Sequence, residues 1–119
     1  MIITLPFPPS TNTVWRNLKG RTLLSRKGRE YRKAVIALVA EQKAVAGLAG
    51  RLSVTVMLHP PDRRKRDIDN YGGKALLDAI THAGVWIDDE QIDRLEMIRG
   101  EIRKPGMAVV TITECGVAA

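Results

Sequence analysis

Hydrophobic and polar residues alternate most regularly between Leu52 and Leu58, where every second side chain is a leucine or a valine. A period of two places alternate side chains on the same face of a strand, so this segment predicts a strand with one buried face. Residues 2–5 (IITL) predict a shorter strand. The prolines that follow it end that strand because they lack a backbone donor.

Two other segments have the spacing of amphipathic helices. Apolar residues recur at helical intervals from about Arg26 to Ala46, with Ser25 as a suitable N-cap and two glycines, Gly47 and Gly50, at the end. The second helix is predicted from roughly Asn70 to Ala83, and its apolar face consists of Leu76, Leu77, Ile80 and Ala83.

The remaining segments predict further strands and one loop. Residues 93–103 predict a strand with Leu95, Met97, Ile98 and Ile102 buried, and residues 107–113 predict a last strand that pairs with it as a hairpin across the turn at 104–106. Residues 10–24 predict a basic loop with a short strand at its end. The whole predicts one α/β domain over residues 1–119, a small mixed β-sheet with two main helices packed mostly on one face.

The charge of the chain narrows the class of partner. The formal net charge is +6 and the pI is about 9.9, which favours a nucleic acid partner. The single cysteine, Cys115, cannot form an internal disulfide, as expected of a protein from a reducing cytoplasm. No signal peptide is visible and no apolar run approaches the roughly 20 residues of a membrane span, so we expect a cytoplasmic protein without a membrane partner.

The richest chemistry lies between Asp62 and Asp89. Four consecutive cations, Arg63, Arg64, Lys65 and Arg66, run directly into Asp67 and Asp69. The cations attract a nucleic acid backbone, whereas the two carboxylates repel it unless a cation lies between them. A hard divalent ion such as Mg²⁺ resolves this conflict, because carboxylates and phosphate oxygens both coordinate it. The segment therefore predicts metal-dependent phosphodiester cleavage.

Each acidic residue also has a structural interpretation. In an extended backbone, Asp67 and Asp69 would lie on the same face, as a shared metal requires. Asp69 or Asn70 could instead be only the N-cap of the second helix. Asp88 and Asp89 could form only a turn or a helix cap after that helix. Alternatively, one of them could fold back to complete a site of three carboxylates with Asp67 and Asp69.

Lys74 and the histidines allow similar alternatives. Lys74 could neutralise charge on the scissile phosphate, or pair with Asp78 one turn along the helix. Neither His59 nor His82 has the spacing of a metal ligand, so both are interpreted as structural.

Several separated blocks give the chain a family resemblance. ITLPFPPSTN (3–12), GRTLLSRKGREYR (20–32), PDRRKRDIDN (61–70), KALLDAI (74–80), AGVWIDDEQI (83–92) and TITE (111–114) occur in an order that resembles the RusA family of Holliday junction resolvases. The resemblance covers nearly the whole chain. It implies a homodimeric, Mg²⁺-dependent endonuclease of bacteria and their prophages that nicks two opposed strands of a four-way junction.

The resemblance also assigns residues. It implies that Asp67, Asp69 and Asp89 are catalytic and bind one or two Mg²⁺ ions per subunit, and that Lys74 is the catalytic lysine. Lys74 is five residues after Asp69, whereas the family usually has four. The extra residue belongs to Tyr71-Gly72-Gly73, where two glycines can absorb it as a loop, but a helix that began at Asn70 would rotate Lys74 by about 100°.

The sequence therefore predicts a structure-selective endodeoxyribonuclease that resolves Holliday junctions during DNA recombination and repair. Its expected DNA contacts are the loop cations and a second basic group: Arg63, Arg64, Lys65, Arg66, Arg16, Lys19 and Arg21. Two alternatives stay open. One is a metal-dependent nuclease for other branched DNA, and the other is a catalytically inactive junction-binding protein.

Overall fold

The computed structural model describes residues 1–18, 21–71 and 73–115. The strands are β1 (Ile2–Pro6), β2 (Trp15–Leu18), β3 (Arg21–Leu24), β4 (Leu52–His59), β5 (Ile92–Arg99) and β6 (Met107–Glu114). The α-helices are α1 (Thr11–Val14), α2 (Arg26–Glu41) and α3 (Lys74–His82), and single turns of 3₁₀ helix span Ile68–Asn70 and Asp89–Gln91. No helix of this described part has the length and apolar composition that crossing a membrane requires.

Four of the strands form one mixed sheet in the order β1-β6-β4-β5. β4 lies inside the sheet and pairs antiparallel with β6 and parallel with β5. β1 pairs antiparallel with the other side of β6. The predicted α/β class with a small mixed sheet is therefore confirmed.

The predicted hairpin of the last two strands is wrong. β5 and β6 lie on opposite sides of β4 and do not pair with each other. The chain from β4 to β5 passes through α3, and such a crossover places the two strands parallel and adjacent. The segment after β5 then passes the end of β4, where the Arg103 amide donates to the Pro60 carbonyl at 3.0 Å.

One face of the sheet forms the core together with α2 and α3. The register aligns Ile3 with Val110 and Val110 with Val56, so buried side chains from three strands form a row. The predicted apolar face of α3 is buried as expected. This packing explains why the alternation in β4 predicted a strand correctly, since only one face of β4 packs against the core.

The core extends over β5 only in part, although the sequence predicted buried residues along it: Met97 packs against the core but is only partly buried. Leu95 aligns with Val54, yet 42% of Leu95 is exposed, and Ile102 lies beyond the strand with 45% exposed. β5 is an edge strand that the helices do not cover. The prediction that these two residues are buried is therefore wrong.

Helix α2 begins where the sequence predicts and ends earlier. The Ser25 side chain accepts from the Gly28 amide at 3.2 Å, which confirms the N-cap. At the other end Lys43 has φ 58, and its amide and that of Ala44 donate to the carbonyls of Ala40 and Val39. This is a Schellman ending with lysine in place of the usual glycine, so the expected stop at Gly47 is wrong.

Residues 10–24 contain more structure than the predicted basic loop. A short helix, α1, leads directly into β2, which pairs with β3 as a separate two-stranded hairpin. The Thr11 hydroxyl donates to the Asn70 carbonyl at 3.0 Å. This contact joins the N-terminal segment to the loop that carries the candidate aspartates.

Candidate active site

The loop from Asp62 to Tyr71, here the cation loop, follows β4 and carries most of the predicted site. Arg63, Arg64 and Lys65 are exposed at its tip. The Asp62 carboxylate accepts from the Arg64 amide at 2.9 Å, a local bond that turns the backbone. The three exposed cations can therefore reach a phosphate backbone without giving up any contact of the core.

Arg66 differs from the three cations before it, because only 10% of its side chain is exposed. Its guanidinium pairs with the Asp62 carboxylate at 2.8 Å and donates to the backbone carbonyls of Asp62 and Arg64. The ion pair raises the pKa of Arg66 and lowers that of Asp62. Arg66 is thus engaged in holding the loop together.

Two aromatic rings complete the setting of Arg66. The guanidinium carbon lies 5.6 Å from the centre of the Phe7 ring and 5.8 Å from that of Tyr71, distances at which a cation is attracted to the ring face. The two rings are 5.4 Å apart. Arg99 of β5 also donates to the Arg66 carbonyl. The loop is therefore fastened to the N-terminal segment and to β5 as well as to itself.

Asp67 and Asp69 lie next to this anchor and are both exposed. Asp67 has an extended backbone, but Asp69 lies inside the 3₁₀ turn that follows. The condition under which both carboxylates would share one face, an extended backbone through Asp67 and Asp69, is not met, because a 3₁₀ turn rotates successive side chains by about 120°. Asp67 also lines a cavity of about 30 Å³ beside Arg66 and Arg99.

Lys74 is the first residue of α3, so the predicted helix start at Asn70 is wrong. Gly73 occupies the N-cap position, which rules out Asp69 or Asn70 as the cap of this helix. The loop at Tyr71 and Gly73 thus lies ahead of the helix, as the alternative with a glycine loop expects; Gly72 is outside the described residues. The Lys74 ammonium lies 6.0 Å from the centre of the Trp15 ring.

Asp78 is not the partner of Lys74 that the structural interpretation proposed. Its carboxylate pairs with Arg32 of α2 at 2.6 Å and lies 3.8 Å from His82. The contact with Arg32 joins α2 to α3, and that with His82 lies within α3. His59 also has a structural role, since its Nδ1 lies 2.9 Å from the Glu101 carbonyl and the side chain is buried.

Asp88 and Asp89 have different positions in one turn, the segment Ile87–Gln91, here the acidic turn. The Asp88 carboxylate accepts from the Glu90 amide at 3.2 Å and caps the 3₁₀ helix, so the cap interpretation is confirmed for Asp88. Asp89 is the first residue of that helix and is exposed. Of the acidic pair, Asp89 is therefore the better candidate for a ligand.

The electrostatic setting of Asp89 is unfavourable for its own charge. Partial burial of the carboxyl raises its pKa, the Asp88 carboxyl raises it further through hydrogen bonding and charge, and Asp78 adds negative charge. Lys74 acts in the opposite direction. A bound cation would relieve this repulsion, and carboxylate oxygens are the ligands that Mg²⁺ prefers. The donor chemistry around Asp89 fits a hard divalent ion.

The three predicted ligands are nevertheless not assembled as one cage. Within residues 1–18, 21–71 and 73–115, no three His, Cys, Asp or Glu side chains are grouped so that they could hold a metal ion. Asp67 and Asp69 are on the cation loop, whereas Asp89 is on the acidic turn. Their assignment as ligands stays a prediction.

The second predicted basic group lies on the β2–β3 hairpin. Arg16 aligns with Leu23 and Arg21 with Leu18, and Lys19 lies outside the described residues. Through Trp15 the hairpin begins beside Lys74, so its backbone is next to the candidate site.

Sequence reasoning did not identify the neighbours that hold the site in place. The aromatic residues Phe7, Tyr71 and Trp15 and the buried amide of Gln91 were not among the candidates. Their proximity to the cations and aspartates arises from the tertiary fold. The sequence DDEQ contained one usable signal, because a glutamine three residues after an aspartate is typical of a capping box.

Comparison with known proteins agrees with this picture of the chain. The family model described as Endodeoxyribonuclease RusA matches residues 6–113. Proteins named crossover junction endodeoxyribonuclease RusA from Escherichia coli (strain K12), Shigella sonnei (strain Ss046) and Enterobacteria phage 82 are each 41% identical over 114 residues. Each match covers 96% of this chain and 94% of the relative. The chain therefore belongs to the endodeoxyribonuclease RusA family.

Proposed function

We propose that this protein is a structure-selective endodeoxyribonuclease that resolves Holliday junctions by paired, Mg²⁺-dependent nicks. The observation that carries the proposal is the arrangement of the cation loop. Three exposed cations adjoin two exposed aspartates there, and the anchored Arg66 separates the two groups. The family's relatives are named for cleavage at crossover junctions, and this loop provides both attraction for a phosphate backbone and carboxylates for a metal.

Asp67, Asp69 and Asp89 would hold one or two Mg²⁺ ions. Mg²⁺ is usually bound by one or two carboxylates together with substrate phosphates, so a free chain without a complete protein cage is compatible with it. When bound, the ion would activate water for in-line attack and stabilise charge at phosphorus. The family implies a divalent cofactor, and the choice of Mg²⁺ is our proposal.

Lys74 and the exposed cations would act on the DNA directly. Lys74 begins α3 and partly opposes the rise in the pKa of Asp89 that burial and Asp88 cause, so its positive charge acts on the candidate site. Such a charge can stabilise a phosphate in the transition state. Arg63, Arg64 and Lys65 would contact the backbone of one arm, and Arg16, Lys19 and Arg21 that of another. Arg66 would support these contacts from within the loop.

We further propose a homodimer. A four-way junction has near two-fold symmetry and needs paired nicks, so two copies related by a C₂ axis provide the two sites most simply. The apolar faces of the predicted terminal hairpin are not a candidate for the interface, because that hairpin does not form. Light scattering of the protein, free and bound to junction DNA, tests the stoichiometry. Bacterial and phage relatives and a DNA substrate are consistent with action in the bacterial cytoplasm.

One gel assay tests the function. A synthetic four-way junction and a linear duplex of the same sequence are incubated with the protein, with and without Mg²⁺. We expect symmetric nicks in the junction only, and only with Mg²⁺. Equal cleavage of flaps or forks would favour the broader branched-DNA nuclease. Tight binding without cleavage would favour an inactive junction-binding protein, to which the separation of the aspartates in one chain lends some weight.

A further inference from the structure

The acidic turn is built around one buried side chain, that of Gln91, which is only 7% exposed. We propose that Gln91 is a positioning residue for Asp89, fixing the backbone that presents this carboxylate to the metal and the scissile phosphate. The inference rests on the proposed function, because Asp89 needs a defined position only if it takes part in cleavage.

The amide of Gln91 uses its full hydrogen-bonding capacity. Its oxygen accepts from the Ile87 amide at 2.9 Å and from the Asp88 amide at 2.8 Å. Its nitrogen donates to the Leu48 carbonyl and to the Gly50 carbonyl, both at 2.8 Å. A primary amide has two acceptor and two donor sites in this plane, so all are occupied by backbone groups.

These four bonds connect the acidic turn to the sheet. Leu48 and Gly50 belong to the segment that enters β4, an interior strand that begins at the buried Leu52. On the other side of the amide, Ile87 and Asp88 immediately precede Asp89. Gln91 therefore helps to set the position of Asp89 relative to β4, alongside a direct bond from the Ile87 amide to the Leu48 carbonyl at 3.3 Å, although Asp89 itself is exposed.

No other common side chain of similar length can make the same contacts. Glutamate lacks the two donors, and methionine lacks both donors and acceptors. Removing the amide would leave the Asp88 amide and the Gly50 carbonyl without this partner, so the turn would shift to find water. A small shift of a ligand is costly for catalysis, since groups that orient metal ligands typically contribute 10–100-fold to affinity or activity.

The test compares two variants with a matched control. Gln91→Met keeps the length and removes all four bonds, and Gln91→Asn keeps the amide but is too short to reach both segments. The control is Arg51→Gln, which removes exposed ion pairs with Glu90 of the turn and Asp93 of β5 but leaves the Gln91 amide in place. Arg51 is outside the proposed machinery, so its loss should leave cleavage within about 2-fold of wild type.

We expect single-turnover cleavage at saturating enzyme to fall about 10–100-fold in Gln91→Met and less in Gln91→Asn, while the junction Kd changes less than about 3-fold. The Mg²⁺ concentration for half-maximal cleavage should rise, and the Mg²⁺-induced increase in Tm should shrink. Hydrogen exchange at the Asp88 amide should accelerate while β4 keeps its protection. If Gln91→Met does not fold, Gln91→Asn carries the test.

Two results would overturn the inference, and they are distinguishable. If wild type cleaves the junction and both variants cleave at its rate with unchanged Mg²⁺ dependence, Gln91 does not position Asp89 and the proposed function stands. If wild type itself does not cleave, the proposed function fails, and the role of Gln91 fails with it.

Discussion

The cation loop and the acidic turn both present candidate carboxylates, but different chemistry holds them in place. The loop is fastened by a charge, the Arg66 guanidinium, which pairs with Asp62 and packs against two aromatic rings. The turn is fastened by the neutral amide of Gln91. In both, the anchoring side chain is largely covered and the aspartate beside it is exposed. The residues that anchor the backbone are therefore different from the candidate ligands, so a substitution can remove one function without the other.

The largest effect should come from the chemistry of the loop. Asp69→Asn should reduce junction cleavage by more than about 100-fold, beyond the usual range for residues that only orient a ligand. Junction affinity should be kept or improved, because a repulsion toward phosphate is lost. Single-turnover cleavage and a gel-shift titration measure the two quantities. Cleavage near the wild-type rate would mean that Asp69 is misassigned.

Lys74→Ala should have the next largest effect, because this charge acts on Asp89 and begins the helix that follows the cation loop. We expect the cleavage step to slow by roughly 10²–10³-fold, as for other preorganised electrostatic groups, with a much smaller loss of binding. Lys74→Arg is the matched variant that keeps the charge. Wild-type kinetics in Lys74→Ala would show that the ammonium points away from the phosphate and that the glycine loop does not restore its family position.

Arg66, the anchor of the cation loop, should contribute more to the stability of the fold than to the attraction of DNA. Arg66→Leu removes a partly exposed ion pair and two cation–π contacts, so we expect a loss of roughly 1–2 kcal/mol in the free energy of unfolding, mainly from the cation–π contacts. The exposed neighbour is the control: Arg64→Leu should change stability by less than about 0.5 kcal/mol. Arg64→Leu should instead reduce the slope of log affinity against log salt by about 1. Denaturant unfolding measures the stability, and salt titrations measure the slope. A larger loss of stability in Arg64→Leu than in Arg66→Leu would contradict the assignment of Arg66 as the anchor.

The smallest effect concerns the charge of the acidic turn. The folded state raises the pKa of Asp89, so its ionised form destabilises the protein at neutral pH, and the penalty disappears once the pH falls below the ordinary value of about 4. Asp89→Asn should therefore raise Tm at pH 7 without divalent ions, and this difference should vanish at low pH. A lower Tm for Asp89→Asn at pH 7 would contradict the electrostatic account.

The sequence predicted local periodicity well and long-range pairing poorly. The alternation in β4 and the apolar face of α3 identified both elements, because one buried face imposes its own period on the chain. The hairpin prediction failed because β5 pairs with β4, a partner about 40 residues earlier. Sequence proximity favoured β6, and no local pattern records which strand a crossover brings alongside.

A similar limit applies to the site. The run of cations and the acidic pairs could be found from residue type and spacing alone. The sequence could not separate Arg66 from Arg64, since only the tertiary packing of Phe7 and Tyr71 makes one of them an anchor. The sequence also could not predict the early end of α2, because Lys43 adopts the left-handed conformation that glycine usually adopts at a helix end.

The central claim is that the separately anchored loop and turn serve one metal-dependent reaction. A double-mutant cycle on cleavage tests it most directly, with Asp69→Asn, Asp89→Asn and the combined variant compared in single-turnover assays at saturating Mg²⁺. If both carboxylates act on the same step, each single change should abolish most of the activity and the double variant should be scarcely slower than either. Effects that simply multiply, or a fully active Asp89→Asn, would contradict the account.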